Sequence, residues 1–297
     1  MATPITGTDV ARGTRLMILA ALLLAAGATS ARVATEDMNV LIAVFWTNLW
    51  MFVLMSLWMY FVRPVGGIQT KKPFHHLLRS IFTYAALVTY FYALAEIPFA
   101  NAVVLQSMGP VFVPVLAFVV FRRLADRYVW FGVLTSFAGV ILIIQPDHFG
   151  MSLGEAAAIL AALGGAAAAL VIWSLSTTEP AERQMFYFSF FACLLSVIPL
   201  PWTWQWLSLP QLRPTAFVAL FTIIGQFYYA RAFSVAPADK VITWSYMSIV
   251  FAAIIGVFAW GEPVLAMSVG GAVLVVIGAH FATRERRAMT SVKHPAD

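Results

Sequence analysis

The sequence predicts an all-α, polytopic membrane protein: ten transmembrane helices arranged as an inverted 5+5 repeat. Three observations carry that reading. The 297 residues are 62% apolar and only 10% charged, with a mean hydropathy of +0.87. Soluble domains carry about 25% charge, so a polar complement this sparse cannot cover a water-facing surface. The apolar residues fall in runs that match the about 20 residues, at about 1.5 Å each, needed to cross a bilayer. Finally, three sequence features recur in the same order in the two halves.

Taken in order, the spans lie at about 15–32, 39–62, 77–96, 98–121, 128–146, 153–174, 184–202, 214–234, 238–260 and 263–283. The first follows Arg12 and Arg15, as a secretory leader would. Its Ile18-Leu-Ala-Ala-Leu22 recurs as Ile159-Leu-Ala-Ala-Leu163, however, and a cleaved leader has no reason to be echoed, so it is read as a retained helix. Pro98, Pro237 and Pro263 mark the short breaks, since proline suits a first helical turn, where its missing N–H costs nothing. Pro/Gly- and charge-rich stretches at Arg63–His76, Asp147–Ser152 and Thr177–Arg183 are connectors, and Trp202, Trp204 and Trp206 suit an interfacial belt. The lone Cys193 sits in an apolar run and has no partner for a disulfide.

With the N-terminus in the cytoplasm, every Lys and Arg except Arg32 and Arg213 falls on or near the inner side. Glu36, Asp37, Glu96, Asp147, Glu155 and Glu262 lean outward. That asymmetry needs an even helix count and places both termini, including the charged tail 284–297, in the cytoplasm of a cell with this protein in its inner membrane. It also accounts for the net charge of +5 as a topology signal rather than a nucleic-acid surface.

The repeat divides the chain into 1–147 and 148–283. Its second echo is Tyr90-Phe91-Tyr92-Ala93 leading to Pro98, against Tyr228-Tyr229-Ala230-Arg231 leading to Pro237. Its third is Gly132 and Gly139 against Gly271 and Gly278; the spacing of seven in each pair sets both glycines on one face and permits close helix approach. Five helices per half put the second half upside down. Such repeats rock about a midplane site, the geometry of alternating access.

At these residues the chain resembles the EamA-type branch of the drug/metabolite transporter superfamily. The matching features are Tyr92-Ala93-Leu94 with Ala102 and Pro110, the Gly132/Gly139 helix, and Tyr246 to Glu262 with Gly271/Gly278. The resemblance runs from about 15 to 283 and implies a ten-helix carrier with a central cavity, moving amino acids, metabolites, vitamins or metallophores, often outward. Two departures stand out: Phe121-Arg122-Arg123 replaces the Gly-Glu pair that often ends the fourth helix, and no proline stands near Ser248.

Polar side chains inside a bilayer are costly, so each is a candidate for function. The substrate-binding candidates are Trp46 and Asn48 in the second span, Tyr90 in the third, Asn101 and Gln106 in the fourth, Trp173 in the sixth, Gln226, Tyr229 and Arg231 in the eighth, and Trp244 in the ninth. Each has a plain packing or helix-bridging alternative. Glu96 and Glu262 are candidates for proton coupling, beside the reading that they mark outer helix ends. No phosphate loop, nucleophile elbow, zincin motif or acidic metal cluster occurs, so neither an enzyme nor an ATP-driven pump is expected, and no cofactor. The expectation is a secondary transporter of a small organic solute in the lipid bilayer, with export favoured by the resemblance and a homodimer left open. A lipid-modifying membrane enzyme or a non-transporting scaffold is the alternative.

Overall fold

The computed structural model describes residues 10–62, 67–109, 127–144, 151–176, 178–235, 247–261 and 266–284, with 112, 115, 116, 118, 119 and 244 as isolated positions. Among these residues every regular element is a helix. In chain order they are α1 (Val10–Glu36), α2 (Val40–Val62), α3 (Pro73–Glu96), α4 (Phe99–Gln106), α5 (Arg127–Ile144), α6 (Leu153–Ser176), α7 (Ala181–Val197), α8 (Leu200–Thr203), α9 (Leu209–Val235), α10 (Met247–Trp260) and α11 (Ala266–Arg284). Four stretches, Ala11–Glu36, Val40–Val62, Pro73–Glu96 and Leu153–Ile172, are long and apolar enough to cross a membrane. Trp130–Gly139, Met247–Trp260 and Ala266–Gly278 are shorter apolar helices.

Local chemistry sets the helix starts. At α2 the Asn39 side chain accepts from the Leu41 N–H at 2.9 Å. Pro73 opens α3, and the break before α4 falls at Ile97-Pro98, with Pro98 in the N-cap position. A capping box, in which a serine and a Glu three residues on satisfy each other's free N–H groups, begins α6, and one arm of such a box begins α9. Ser152 donates from its N–H and its hydroxyl to Glu155 Oε2, both at 2.9 Å. Ser208 does the same to Gln211 Oε1 at 2.9 and 3.0 Å. The second of these corrects a boundary: α9 starts at Leu209, so Pro214 lies inside the helix rather than at its first residue. Pro237 and Pro263 lie outside the described residues.

The broad pairings join early helices to late ones. α1 lies along α9, α3 along α6, and α5 along α11. α2 packs on α7 and α9, α3 also on α7, α1 on α10, and α4 on both α6 and α10. Small residues permit this. The buried face of α1 carries Ala20, Ala21, Ala25, Ala31 and Ala34, and that of α6 carries Ala157, Ala158, Ala161, Ala162, Ala166 and Ala168. α5 and α11 cross closely: a Cβ on Gly139 would stand 2.5 Å from the Gly271 carbonyl oxygen. Gly132 and Gly278 are buried in the same two helices.

One core runs through the first half and into the second, with Phe91, Leu94, Phe99, Leu105, Ala158, Ala162, Ile249, Ala252 and Val275 among its buried members. Large apolar side chains instead line the outer faces: Leu57 is 50% exposed, Leu134 66% and Phe258 86%. Against water these would be liabilities, whereas lipid tails are as apolar as they are. Helices this apolar, with apolar faces turned outward, belong in a bilayer.

Candidate functional site

The described candidate residues distribute over three helix interfaces. Asn48 is fully buried and donates from Nδ2 to the Ala192 carbonyl of α7 at 3.4 Å, while its Oδ1 has no partner among the described residues. Trp46 lies on the same helix, edge-on to Phe45 at 5.5 Å, with its indole N–H buried and unpartnered among the described residues. Tyr90 packs against the main core, and Asn101 and Gln106 are half-buried on α4. Tyr229 packs with Leu16 on a separate small cluster of Met17 and Ala232, between α1 and α9. Gln226 is exposed, as is Arg231, whose guanidinium lies 5.8 Å from the Phe227 ring centroid. Trp244 is 43% exposed. Glu96 is exposed at the end of α3. The Trp173 side chain and all of Glu262 lie outside the described residues.

Two polar clusters that sequence reasoning passed over tie the early helices to the late ones, one at each end of α3. At the Pro73 end, α7 and the turn before it grip the segment between α2 and α3. Glu179, 6% exposed, accepts from the Thr70 hydroxyl at 2.7 Å and pairs with Arg183 at 2.7 Å. Arg183 Nε also donates to the Gly67 carbonyl at 3.0 Å, and the Tyr187 hydroxyl donates to the Ile68 carbonyl at 2.6 Å. Gln184, 4% exposed, donates to the Glu179 carbonyl at 2.9 Å and accepts from Arg79 at 3.5 Å. His76 is fully buried and stacks on Tyr187 with ring centroids 4.6 Å apart. Among the described residues neither of its ring nitrogens has a hydrogen-bond partner. Burial pushes the Glu179 carboxyl up, but the hydrogen bonds from Thr70 and Arg183, with the Arg183 charge, outweigh it and hold the group below its ordinary range.

At the Glu96 end, Trp260 of α10 reaches α1. Its indole N–H donates to Glu36 Oε1 at 2.7 Å, and the Arg32 guanidinium lies 5.5 Å from its ring centroid. Arg32 also donates to the Ile97 carbonyl at 2.5 Å, and buried Phe99 lies 5.4 Å from Trp260. Nearby, Gln211 of α9 donates to the Asp37 carbonyl at 3.4 Å. The available signals were faint: Arg32 is one of two basic residues on the wrong side of the charge count, and Glu179 and Arg183 stand one helical turn apart.

The helices form an apolar bundle of the polytopic membrane class, tied between early and late helices by polar clusters at the two ends of α3. The EamA-like transporter family model matches residues 11–145 and again 152–284. The chain belongs to that family, and so is a transporter of small solutes. It is 30% identical over 215 residues to the pseudopaline exporter CntI of Pseudomonas aeruginosa, covering 71% of this chain and 75% of that protein. It is 24% identical over 236 residues to the S-adenosylmethionine uptake transporter of Rickettsia prowazekii, covering 77% and 78%. Solute carrier family 35 member G1 of Homo sapiens is 26% identical over 280 residues, covering 87% and 75%. A solved crystal structure superposes with a TM-score of 0.65 over 95% of this chain and 99% of its own, at 19% identity, a likeness of fold alone.

Proposed function

We propose that the protein is a secondary carrier with ten spans, built as an inverted repeat of 1–147 and 148–283, that exposes one site alternately to the two sides of a bacterial inner membrane. The observation that carries this is the packing pattern. Exchanging the halves turns the α1–α9 pairing into α6–α3, α2–α9 into α7–α3 and α1–α10 into α6–α4, while α5–α11, α2–α7 and α4–α10 map onto themselves. These cross-half pairings exchange with one another, as a two-fold repeat requires. The separate family matches to 11–145 and 152–284 support the same division.

In this reading both termini are cytoplasmic, the Glu179–Arg183 cluster closes the inner end and the Trp260–Glu36 cluster the outer. The solute lies between, against residues drawn from Trp46, Asn48, Tyr90, Asn101, Gln106, Trp173, Gln226, Tyr229, Arg231 and Trp244, with Glu96 and Glu262 as proton-coupling candidates. The cargo is a small organic solute of amino-acid, metabolite or metallophore type. Export is favoured by similarity to a protein named as an exporter; the relative named for uptake keeps direction a matter for experiment.

The test is untargeted metabolite profiling of cells with and without the gene, followed by flux of the enriched compound in proteoliposomes. A solute that accumulates inside the deletion strain and moves across the reconstituted membrane supports export. Depletion inside the deletion strain reverses the direction. No solute moved by the reconstituted protein refutes the carrier.

A further inference from the structure

Arg32 and Glu36 stand one turn apart on α1, the spacing at which opposite charges on a helix commonly pair. Here they do not. The Trp260 indole stands between them, donating its N–H to Glu36 and lying under the Arg32 guanidinium. Among the described residues no carboxylate reaches Arg32, which is half-buried and uses one N–H on the Ile97 carbonyl. A guanidinium offers five donors, so most of this one's are unspent. Among the described residues the exposed Glu36 carboxylate accepts only the indole N–H and keeps most of its acceptor capacity. Phe99 backs the indole from the core side. A cation and an anion are thus held apart by an aromatic wall, on the seam where α1, the α3–α4 turn and α10 meet.

We infer that this is a binding site for an α-amino carboxylate zwitterion. The solute's carboxylate meets Arg32, its ammonium meets Glu36, and its side chain lies along Trp260. The charge balance selects this class. A carboxylate without an amine would face Glu36 unscreened, and an amine without a carboxylate would face Arg32. A zwitterion adds no net charge to a partly buried place, and the planar fork of arginine suits a carboxylate in two-point contact. Since Arg32 and Trp260 belong to opposite halves of the chain, an occupant would bridge them. The inference rests on the carrier reading and gives it an outer station for solute.

The test is equilibrium binding to the full chain in lipid nanodiscs, with L-methionine, L-histidine and L-phenylalanine as probes and their methyl esters, decarboxylated amines and N-acetyl derivatives as controls. At least one free amino acid should bind, and each of its three blocked forms should bind tenfold or more weakly. Glu36→Gln keeps an acceptor for the indole N–H and removes only the charge; it should lose affinity for the free acid by a similar factor while melting as wild type does. Arg32→Gln should do likewise, and Arg32→Lys, which keeps a donor for Ile97, should bind weakly but fold. The proposal is overturned if no free amino acid binds, if the N-acetyl or ester form binds as well as the acid, or if Glu36→Gln binds normally. Should Arg32→Gln not fold, the Glu36 variant and the blocked ligands still decide. Flux in proteoliposomes separates the two claims: transport that persists without amino-acid binding at Arg32 sinks this site and leaves the carrier standing.

Discussion

Replacing Gly139 by alanine tests the contact on which the α5–α11 pairing depends. The new Cβ would meet the Gly271 carbonyl oxygen at 2.5 Å, the Val275 nitrogen at 2.9 Å and the Leu274 Cβ at 3.0 Å, where ordinary contact begins at 3.4 Å. The first two are backbone atoms and cannot rotate away. The helices must therefore part by about 1 Å, a gap that forfeits a quarter to a half of the dispersion energy of each contact along the line. In a bilayer that energy is most of what holds helices together, because lipid supplies no hydrophobic drive between them. Overpacking costs about 1–3 kcal/mol, offset by the helix preference of alanine over glycine, up to about 1 kcal/mol. Net destabilisation is about 1–2 kcal/mol, roughly a tenfold loss in the folding equilibrium. Gly165→Ala and Gly270→Ala, with nothing within 4 Å of the added atom, keep only the favourable part. Thermal melting in detergent should rank Gly139→Ala below wild type and the other two at or above it. If Gly139→Ala melts with the controls, the close crossing does not hold the pair together.

Other variants probe the ends and the interior. Because Glu179 binds its proton less readily folded than unfolded, the stability it contributes is present above the ordinary carboxylate range and lost as pH falls through the depressed value. Melts from neutral pH down past about pH 4 should therefore fall more steeply for wild type than for Glu179→Gln, and equal slopes would refute the assignment. Tyr187→Phe removes the hydroxyl that donates to Ile68 and should cost about 0.5–1.5 kcal/mol in the same melt. Ser152→Ala dismantles the capping box of α6, for about 0.5–2 kcal/mol, with local amide exchange rising at that helix end. Gln106→Ala and Trp244→Ala, expressed at normal levels, should slow flux of the profiled solute; full-rate transport removes both from the pathway.

Membrane character, the helix breaks at Ile97-Pro98 and the glycine crossing were all readable in the sequence, because each is written in local residues: long apolar runs, a proline, a spacing of seven. The capping motifs were equally legible as Ser-x-x-Glu and Ser-x-x-Gln, though apolar runs alone put the start of the eighth span at Pro214. The end clusters were not readable. Glu179 with Thr70, Tyr187 with Ile68 and Trp260 with Glu36 join residues more than a hundred positions apart, and only the packing of α3 on α7 and of α1 on α10 brings them together. Gln226 was set on a candidate face by its helical spacing with Tyr229; it is exposed on α9, and the face packed toward α1 at that level belongs to its neighbour Gly225, beside Leu24.

The pairing of α1 with α9 also constrains how the chain is made. α1 leaves the ribosome early, packs more lightly on α2 and α3, and meets its broadest partner only once α9 has been made. α3 waits a shorter time for α6, and α5 waits for α11. Early helices therefore lodge in lipid before their broadest contacts can form, and late, long-range pairings complete the assembly. A nascent chain stalled before α9 would leave the first helix exposed to membrane quality control, whatever the intrinsic stability of the finished bundle.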